Sequence, residues 1–176
     1  MRHQTLELKL VAPTEELVPS YLDFIAEMEK AGEKIWLDNL PRAEEDHAAF
    51  VDRLLKGETH PEENKVPESI FWAVLDQTVV GKLGFRHRLN DNLRDFGGHI
   101  GYEVRPSFRN RGIAKQMLSQ VLSTARAKEI GQLLLTCAPD NTASNRTILA
   151  NGGVLEKTEF VRKWDRQTNY YWITVE

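Results

Sequence analysis

The apolar positions in the first third of the chain follow first a strand period and then a helical period. Residues 5–11 alternate leucine with polar residues, as a strand with one buried face does. Apolar residues then recur at helical spacing from Pro19 to Gly32, and a second helical stripe covers residues 47–55. The pattern therefore predicts one strand followed by two helices.

The rest of the chain predicts a sheet and further helices. After a polar loop at residues 57–67, strand-like apolar runs alternate with helical stripes. The predicted elements are strands over residues 69–75, 79–88, 99–104, 133–137, 154–164 and 170–175, helices over residues 114–125 and 142–151, and a hairpin turn at residues 165–169. We expect an α/β (α+β) fold with a mixed, mostly antiparallel, twisted sheet of about seven strands flanked by helices. The length favours one domain, residues 1–176.

Composition and charge exclude several classes of protein. The net charge of -3 argues against a nucleic-acid-binding surface, and no apolar run approaches the roughly 18 residues of a membrane span. The single cysteine, Cys137, cannot form an intramolecular disulfide, and the first residues lack the apolar run of a secretion signal, so we expect a cytoplasmic protein. The five histidines show no metal-ligand spacing, so we expect no metal site.

The residues with the clearest chemistry lie where the predicted strand ends at Val104 and a helix begins. The N-terminus of a helix offers unpaired N–H groups and a partial positive charge, which can hold a phosphate if no side chain blocks the approach. Gly112 and Ala114 keep that approach open, and Arg109 and Arg111 add positive charge. The segment fits a diphosphate. The other interpretation is a solvated basic turn before a surface helix.

A second block gives the first one a specific meaning. Residues 140–145, Asp-Asn-Thr-Ala-Ser-Asn, follow an apolar strand and open a helix that ends at residues 151–153, Asn-Gly-Gly. Together with R-x-x-G-x-A at residues 109–114, this block resembles the GNAT superfamily of N-acetyltransferases, whose coenzyme-A signature is [RQ]-x-x-G-x-[GA]. The resemblance covers residues 97–156 closely and the remainder in outline. The C-terminal strand resembles a bacterial subgroup of unassigned substrate.

The resemblance implies an N-acetyltransferase with acetyl-CoA as its cosubstrate. It implies that the strand ending at Val104 splays away from the strand at residues 133–137 and that the pantetheine arm lies in the gap. The N–H of Val104 would then polarise the thioester carbonyl and stabilise the oxyanion. The residues expected to bind coenzyme A are Val104, Arg109, Asn110, Arg111, Gly112, Ile113, Ala114, Asn141, Ser144 and Asn145.

Two positions depart from the pattern of many relatives, and both concern proton transfer. An alkylamine has a pKa of roughly 10, so a base must remove a proton before attack. The position of the usual glutamate is Gly98, and the position of the usual general-acid tyrosine is Ile148. The leaving thiolate would take a proton from water or from another group such as Ser144, or depart unassisted. The candidates for catalysis are Val104, His99, Tyr102 and Glu103.

These departures keep a second function open. A non-catalytic acyl-CoA-binding module would retain the coenzyme site without the proton-transfer groups, and His99 could simply be a hydrogen-bonded histidine of the sheet. A nucleic-acid-binding domain rests on Arg105, Arg109 and Arg111 and conflicts with the acidic balance. The expected acceptor is the primary amine of a small molecule or a peptide. We expect no nucleic-acid or membrane partner, and a homodimer is allowed.

Overall fold

The computed structural model describes residues 7–34 and 36–176. The strands are β1 (Lys9–Val11), β2 (Glu68–Leu75), β3 (Thr78–Arg86), β4 (Ile100–Val104), β5 (Gln132–Cys137), β6 (Val154–Val161) and β7 (Arg166–Thr174). The helices are α1 (Val18–Lys30), α2 (His47–Lys56), α3 (Asp91–Asp95), α4 (Ile113–Leu122), α5 (Ala125–Ile130) and α6 (Thr142–Ala150). Of the first predicted strand, residues 5 and 6 lie outside the described part of the chain.

The seven strands form two antiparallel sheets. One has the order β1-β2-β3-β4, and the other has the order β5-β7-β6. The predicted class, the seven strands and the flanking helices are confirmed, with the strands divided between two sheets. None of the helices in the described ranges is long and apolar enough to cross a membrane.

The first sheet is covered on both faces, and β2 shows how. Its alternation puts Trp72 against α1 and α2 on one face, and Ala73 against α4 on the other. Tyr21 of α1 stacks on Trp72, with ring centroids 4.5 Å apart. The buried residues of α1 recur at helical spacing: Val18, Tyr21, Phe24, Ile25 and Met28. Strand β4 is one edge of this sheet.

The hairpin between β6 and β7 turns earlier than predicted. A short 3-10 turn at Arg162–Trp164 and a left-handed Asp165, with φ of 47°, reverse the chain, instead of residues 165–169. Thr168 and Asn169 are buried strand residues of β7. Their burial in the sheet outweighs the turn preference of the polar sequence around them.

The long helix predicted over residues 114–125 is divided into α4 and α5. The hydroxyl of Thr124 accepts a hydrogen bond from the Ala127 N–H, which begins a new helix at that point. In the same way, Asn90 caps α3 by accepting from the Leu93 N–H, within a stretch predicted as a plain connection. At each of the two sites, one capping side chain starts a helix that the apolar pattern did not predict.

The two sheets are joined where His99, just before β4, meets Leu134 of β5. The His99 N–H donates to the Leu134 carbonyl at 2.7 Å, and the Leu134 N–H donates to Nδ1 of His99 at 2.9 Å. Past this junction β4 pairs with β3 and β5 pairs with β7, and the described residues form no ladder between β4 and β5. The strands diverge, as the resemblance implies.

Gly98 allows the chain to enter this junction. Its φ of +59° lies in the left-handed region, and a Cβ at this position would collide with the carbonyl oxygen of Leu134. The Gly98 N–H is held by the Leu93 carbonyl at 2.9 Å. The position that holds a glutamate in many relatives therefore has no room for a side chain in this protein.

We predict that Gly98→Ala destabilises the protein much more than a glycine replacement in open space. Gly152 also has a positive φ, +84°, but a Cβ there would meet nothing within 4 Å. Backbone strain alone should make Gly152→Ala cost about 1–2 kcal/mol, whereas added overpacking should bring Gly98→Ala to about 3–5 kcal/mol. Urea unfolding of both variants measures the difference, and equal losses would contradict the collision.

We also predict that His99 makes stability depend on pH. Burial, aided by the charges of Arg94 and Arg86, lowers the pKa of His99 from 6.5 to about 4. The unfolded chain therefore binds the proton more tightly, so this contribution is complete above pH 6.5 and is lost as the pH falls toward 4. The loss should total about 3 kcal/mol.

The measurement is urea unfolding between pH 7.5 and pH 4. His99→Asn keeps a hydrogen-bond acceptor but does not titrate, so its unfolding free energy should fall less steeply over this range. Equal slopes in the two proteins would show that His99 does not carry the dependence.

Candidate active site

Two clefts meet at the gap between β4 and the start of α6. The first, which we call the α4 cleft, has a volume of about 810 Å³ and includes Val104 and the N-terminus of α4. The second, which we call the glycine cleft, has a volume of about 480 Å³ and lies over the β3–β4 face that carries Gly84 and Gly101. The residues that line both clefts are Tyr102, Glu103, Asn141 and Ser144.

The α4 cleft contains an open helix N-terminus. The chain leaves β4 through a 3-10 turn at Pro106–Phe108, and Asn110 and Gly112 then take left-handed φ values of 60° and 73°. A Cβ on Gly112 would meet nothing within 4 Å, so the first N–H groups of α4 can be approached from the cleft. This geometry suits an anion.

The two arginines of the segment have different surroundings. Arg109 lines the α4 cleft, where it donates to the Val104 carbonyl at 3.0 Å and to Glu33 at 2.7 Å. Arg111 instead donates to the Ser107 carbonyl at 3.1 Å and packs over the Phe108 ring. It is not among the residues that line the cleft.

Helix α1 holds the turn before α4 in place. Glu27 accepts hydrogen bonds from Arg105 at 2.6 Å and from the Ser107 N–H at 2.5 Å. Burial alone would raise the pKa of Glu27, but these hydrogen bonds outweigh it and lower the pKa, so the carboxylate stays charged. No local sequence signal connects residues about 80 positions apart, and sequence reasoning assigned Glu27 no such role.

The outer edge of β4 faces the gap with its backbone. The Arg105 N–H bonds to the Val80 carbonyl, and Gly81 lies opposite Val104, so Val104 belongs to a non-hydrogen-bonded pair with β3. Its N–H and carbonyl, like those of Tyr102, therefore point to the gap. The predicted oxyanion donor lies on an accessible edge.

Two hydroxyl groups bridge the gap where the clefts meet. The Tyr102 hydroxyl lies 2.9 Å from Oγ of Ser144, which is on the first turn of α6. Burial raises the pKa of Tyr102 to about 12, so the phenol is protonated at neutral pH and can act as a donor. Asn141 caps α6 by accepting from the Ser144 N–H with its side-chain oxygen, which leaves its amide group for a ligand.

Asn145 and His99 lie outside the two clefts. The Asn145 oxygen accepts from Asn169 at 2.9 Å and from Tyr171 at 2.5 Å, and its amide donates to the Asn141 carbonyl at 2.7 Å. The Nδ1 of His99 is occupied by the Leu134 N–H. Both side chains are directed at protein groups, and neither is among the residues that line a cleft.

Glu103 lies on the opposite face of β4 from Tyr102. Its carboxylate is 3.6 Å from the ammonium group of Lys82, which lies directly across in β3. Ile148, at the position of the usual general-acid tyrosine, is a buried apolar residue that lines the glycine cleft. Cys137 also lines it, and burial raises the pKa of its thiol, so it is not a thiolate at neutral pH.

The glycine cleft contains charged residues that sequence reasoning missed. Arg86 lies 3.3 Å from Glu68, and both flank the paired glycines Gly84 and Gly101. In the sequence they are ordinary charged strand residues. The signal available in the sequence was the two-residue spacing of Lys82, Gly84 and Arg86, because residues two apart on a strand share one face. In residues 7–34 and 36–176, no three His, Cys, Asp or Glu side chains are grouped to hold a metal ion.

Comparison with solved structures shows the same fold in acetyltransferases. A Salmonella typhimurium acetyltransferase that modifies the N-terminal serine of ribosomal protein L7/L12 aligns with a TM-score of 0.68 at 23% identity, covering 98% of this chain and 97% of that chain. The microcin C7 self-immunity acetyltransferase MccE, solved with acetyl-CoA and AMP, gives 0.69 at 18% identity, covering 96% and 93%. The L7/L12 acetyltransferase RimL, solved with coenzyme A, gives 0.65 at 20% identity, covering 98% and 96%.

The family follows from the sequence itself. No curated protein matches the chain. The family model described as "Acetyltransferase (GNAT) domain" matches residues 7–154, which is most of the chain. The resemblance drawn from the two motifs is thereby confirmed, and this chain belongs to the GNAT acetyltransferase family, whose cosubstrate is acetyl-CoA.

Proposed function

We propose that the protein transfers the acetyl group of acetyl-CoA to the primary amine of a small molecule or a peptide, by direct attack of the amine. The observation that carries this proposal is the meeting of two clefts at one gap, beside the open edge of β4. One cleft offers an anion site at a helix N-terminus, and the other reaches the same gap from the opposite face. The coenzyme and the acceptor can therefore meet without overlapping.

The α4 cleft fits coenzyme A. The first N–H groups of α4, with Asn110, Gly112, Ile113 and Ala114 around them, would hold the pyrophosphate. Arg109 would turn from Glu33 to a phosphate oxygen, since both are anions within its reach. Arg111 would add charge from outside the cleft.

The gap fits the pantetheine arm. The backbone edge of Tyr102 and Val104 would bind it as a neighbouring strand would, and the Asn141 amide would donate from the other side. Asn145 would act indirectly, by fixing Asn141 and the first turn of α6.

The proton-transfer roles follow from which face of β4 each side chain occupies. Acetyl-CoA supplies the acetyl group as a thioester, so the new N–C bond forms while the C–S bond breaks. Glu103, directly or through a water, would accept a proton from the ammonium group of the acceptor, so that the neutral amine can attack the thioester carbon. The Val104 N–H would bind the carbonyl oxygen as it gains negative charge. Ser144, hydrogen-bonded to Tyr102, would donate a proton to the departing sulfur.

The acceptor is proposed to be a compact or peptide-like amine. RimL, similar to this chain in fold, is an α-N-protein acetyltransferase of ribosomal L7/L12, and MccE was solved with acetyl-CoA and AMP. Cytoplasmic location and a homodimer stay predictions from the sequence.

We predict that Arg109→Ala weakens coenzyme-A binding about tenfold, because a charge-assisted hydrogen bond to phosphate is lost at a partly exposed site. Arg111→Ala is the matched control, and its effect should be smaller since its guanidinium lies outside the α4 cleft. Calorimetric titration with coenzyme A measures both. A larger loss for Arg111→Ala would reverse the assignment.

We predict that Glu103→Gln lowers kcat about 100-fold while coenzyme-A affinity is unchanged, because a general base contributes only to the chemical step. Thiol release from acetyl-CoA with a panel of amines gives kcat, and Glu63→Gln, in the exposed loop, controls for charge. A full kcat would exclude Glu103 as the base, and coenzyme binding without turnover by the native protein would favour the non-catalytic module.

A further inference from the structure

The glycine cleft has a floor without side chains. Gly84 of β3 and Gly101 of β4 lie directly opposite each other, between the pair Lys82–Glu103 on one side and Arg86 on the other. A Cβ on Gly101 would lie 3.7 Å from both terminal nitrogens of Arg86. The Arg86 guanidinium therefore lies over the floor beside Gly101.

Arg86 is fixed in this position by the backbone. One terminal nitrogen donates to the carbonyls of Gly97 and Gly98, at 3.2 Å each, and Nε lies 3.3 Å from Glu68. Within residues 7–34 and 36–176, the other terminal nitrogen makes no hydrogen bond with the protein. A guanidinium held on one edge and open on the other is pre-organised for an anion.

The charge around Arg86 favours an anion over a cation. The other acids in the cleft are paired with lysines, Glu103 with Lys82 at 3.6 Å and Asp38 with Lys65 at 3.0 Å. Arg166 lies in the same cleft. The lowered pKa of His99, caused mainly by burial and further by Arg94 and Arg86, agrees with a positive potential at this end.

Glu68 is the partner that can leave. Its carboxylate reaches Arg86 across the place where a Gly84 side chain would stand, and it is held there by the contact at 3.3 Å. Two backbone carbonyls anchor Arg86, so the guanidinium stays in place when Glu68 moves away. An anionic ligand can therefore take the place of Glu68 beside Arg86. A cationic ligand would instead have to draw Glu68 away from Arg86.

We propose that Arg86 binds an anionic group of the acceptor, a carboxylate or a phosphate, while the acceptor amine lies at the Val104 end of the cleft. Val104 lies three positions after Gly101 along β4, so the amine and the anion are about 10 Å apart. This assignment rests on the proposed acetyl transfer and names the acceptor class: an amine with an anionic group at the length of a short peptide.

The test compares binding of matched ligands to the protein saturated with coenzyme A. Extended trialanine separates its amine and carboxylate by about 10 Å, and trialaninamide removes the negative charge. By chemical-shift titration, trialanine should bind about tenfold more tightly than its amide, since one charge-assisted hydrogen-bonded pair is added. The pair 6-aminohexyl phosphate and 6-aminohexanol tests the phosphate in the same way, and the larger preference identifies the natural anion.

Variants assign the preference to Arg86. Arg86→Gln should abolish it, Arg86→Lys should keep part of it, and Glu68→Gln should increase it by freeing Arg86. Arg126→Gln removes an exposed arginine outside the cleft and should leave the preference unchanged. Coenzyme-A affinity of each variant checks its folding. No preference in the native protein, or a preference that survives Arg86→Gln, would overturn the anion site.

The result is separable from the proposed function. A charge preference without thiol release from acetyl-CoA for any amine would support the anion site and contradict acetyl transfer. If trialanine and its amide bind equally and release thiol equally, acetyl transfer would be supported and the anion site would be contradicted.

Discussion

The divergence of β4 from β5 is the constraint on which both clefts depend. Two hydrogen bonds between His99 and Leu134 join the strands, and Gly98 adopts the left-handed conformation that lets the chain enter this junction. Past it, the outward N–H groups of β4 face the gap and not a neighbouring strand, while Arg109 holds the Val104 carbonyl. An exposed strand edge is usually a liability in a soluble protein. In this fold the coenzyme arm can use it, because it offers strand-like hydrogen bonds.

The alternation of side chains along β4 then separates the two ends of the reaction. Tyr102 points to α6 and meets Ser144, while the next residue, Glu103, points to the glycine cleft and Lys82. The proposed donor for the sulfur and the proposed acceptor for the amine proton thus lie on opposite faces of one strand. The same geometry explains why the absence of a tyrosine at Ile148 need not remove proton donation, since Ser144 and Tyr102 already reach the gap.

The sequence predicted what backbone patterns determine and missed what distant side chains determine. The order of the elements and Gly112 at the helix start could be predicted, because motif spacing and hydrophobic period report on them, and the splay of β4 was implied by the family resemblance. The Glu27–Arg105 and Glu68–Arg86 pairs could not, since each joins residues from separate elements. Local competition caused the smaller differences, as where the Thr124 cap divided a predicted helix in two.

The difference between backbone patterns and distant side chains also explains which properties of the protein follow from its family. Binding of the coenzyme, as proposed, relies mainly on N–H groups of a helix and of a strand edge, which many sequences can supply, and structures with only 18–23% identity share this fold. It requires little more than a small residue at the helix start and a junction that keeps β4 and β5 apart. Recognition of the acceptor, as proposed, relies on side chains such as Arg86 and Glu68, which can change while the fold remains the same. The family therefore fixes the coenzyme, and the acceptor has to be inferred from the charges in the glycine cleft.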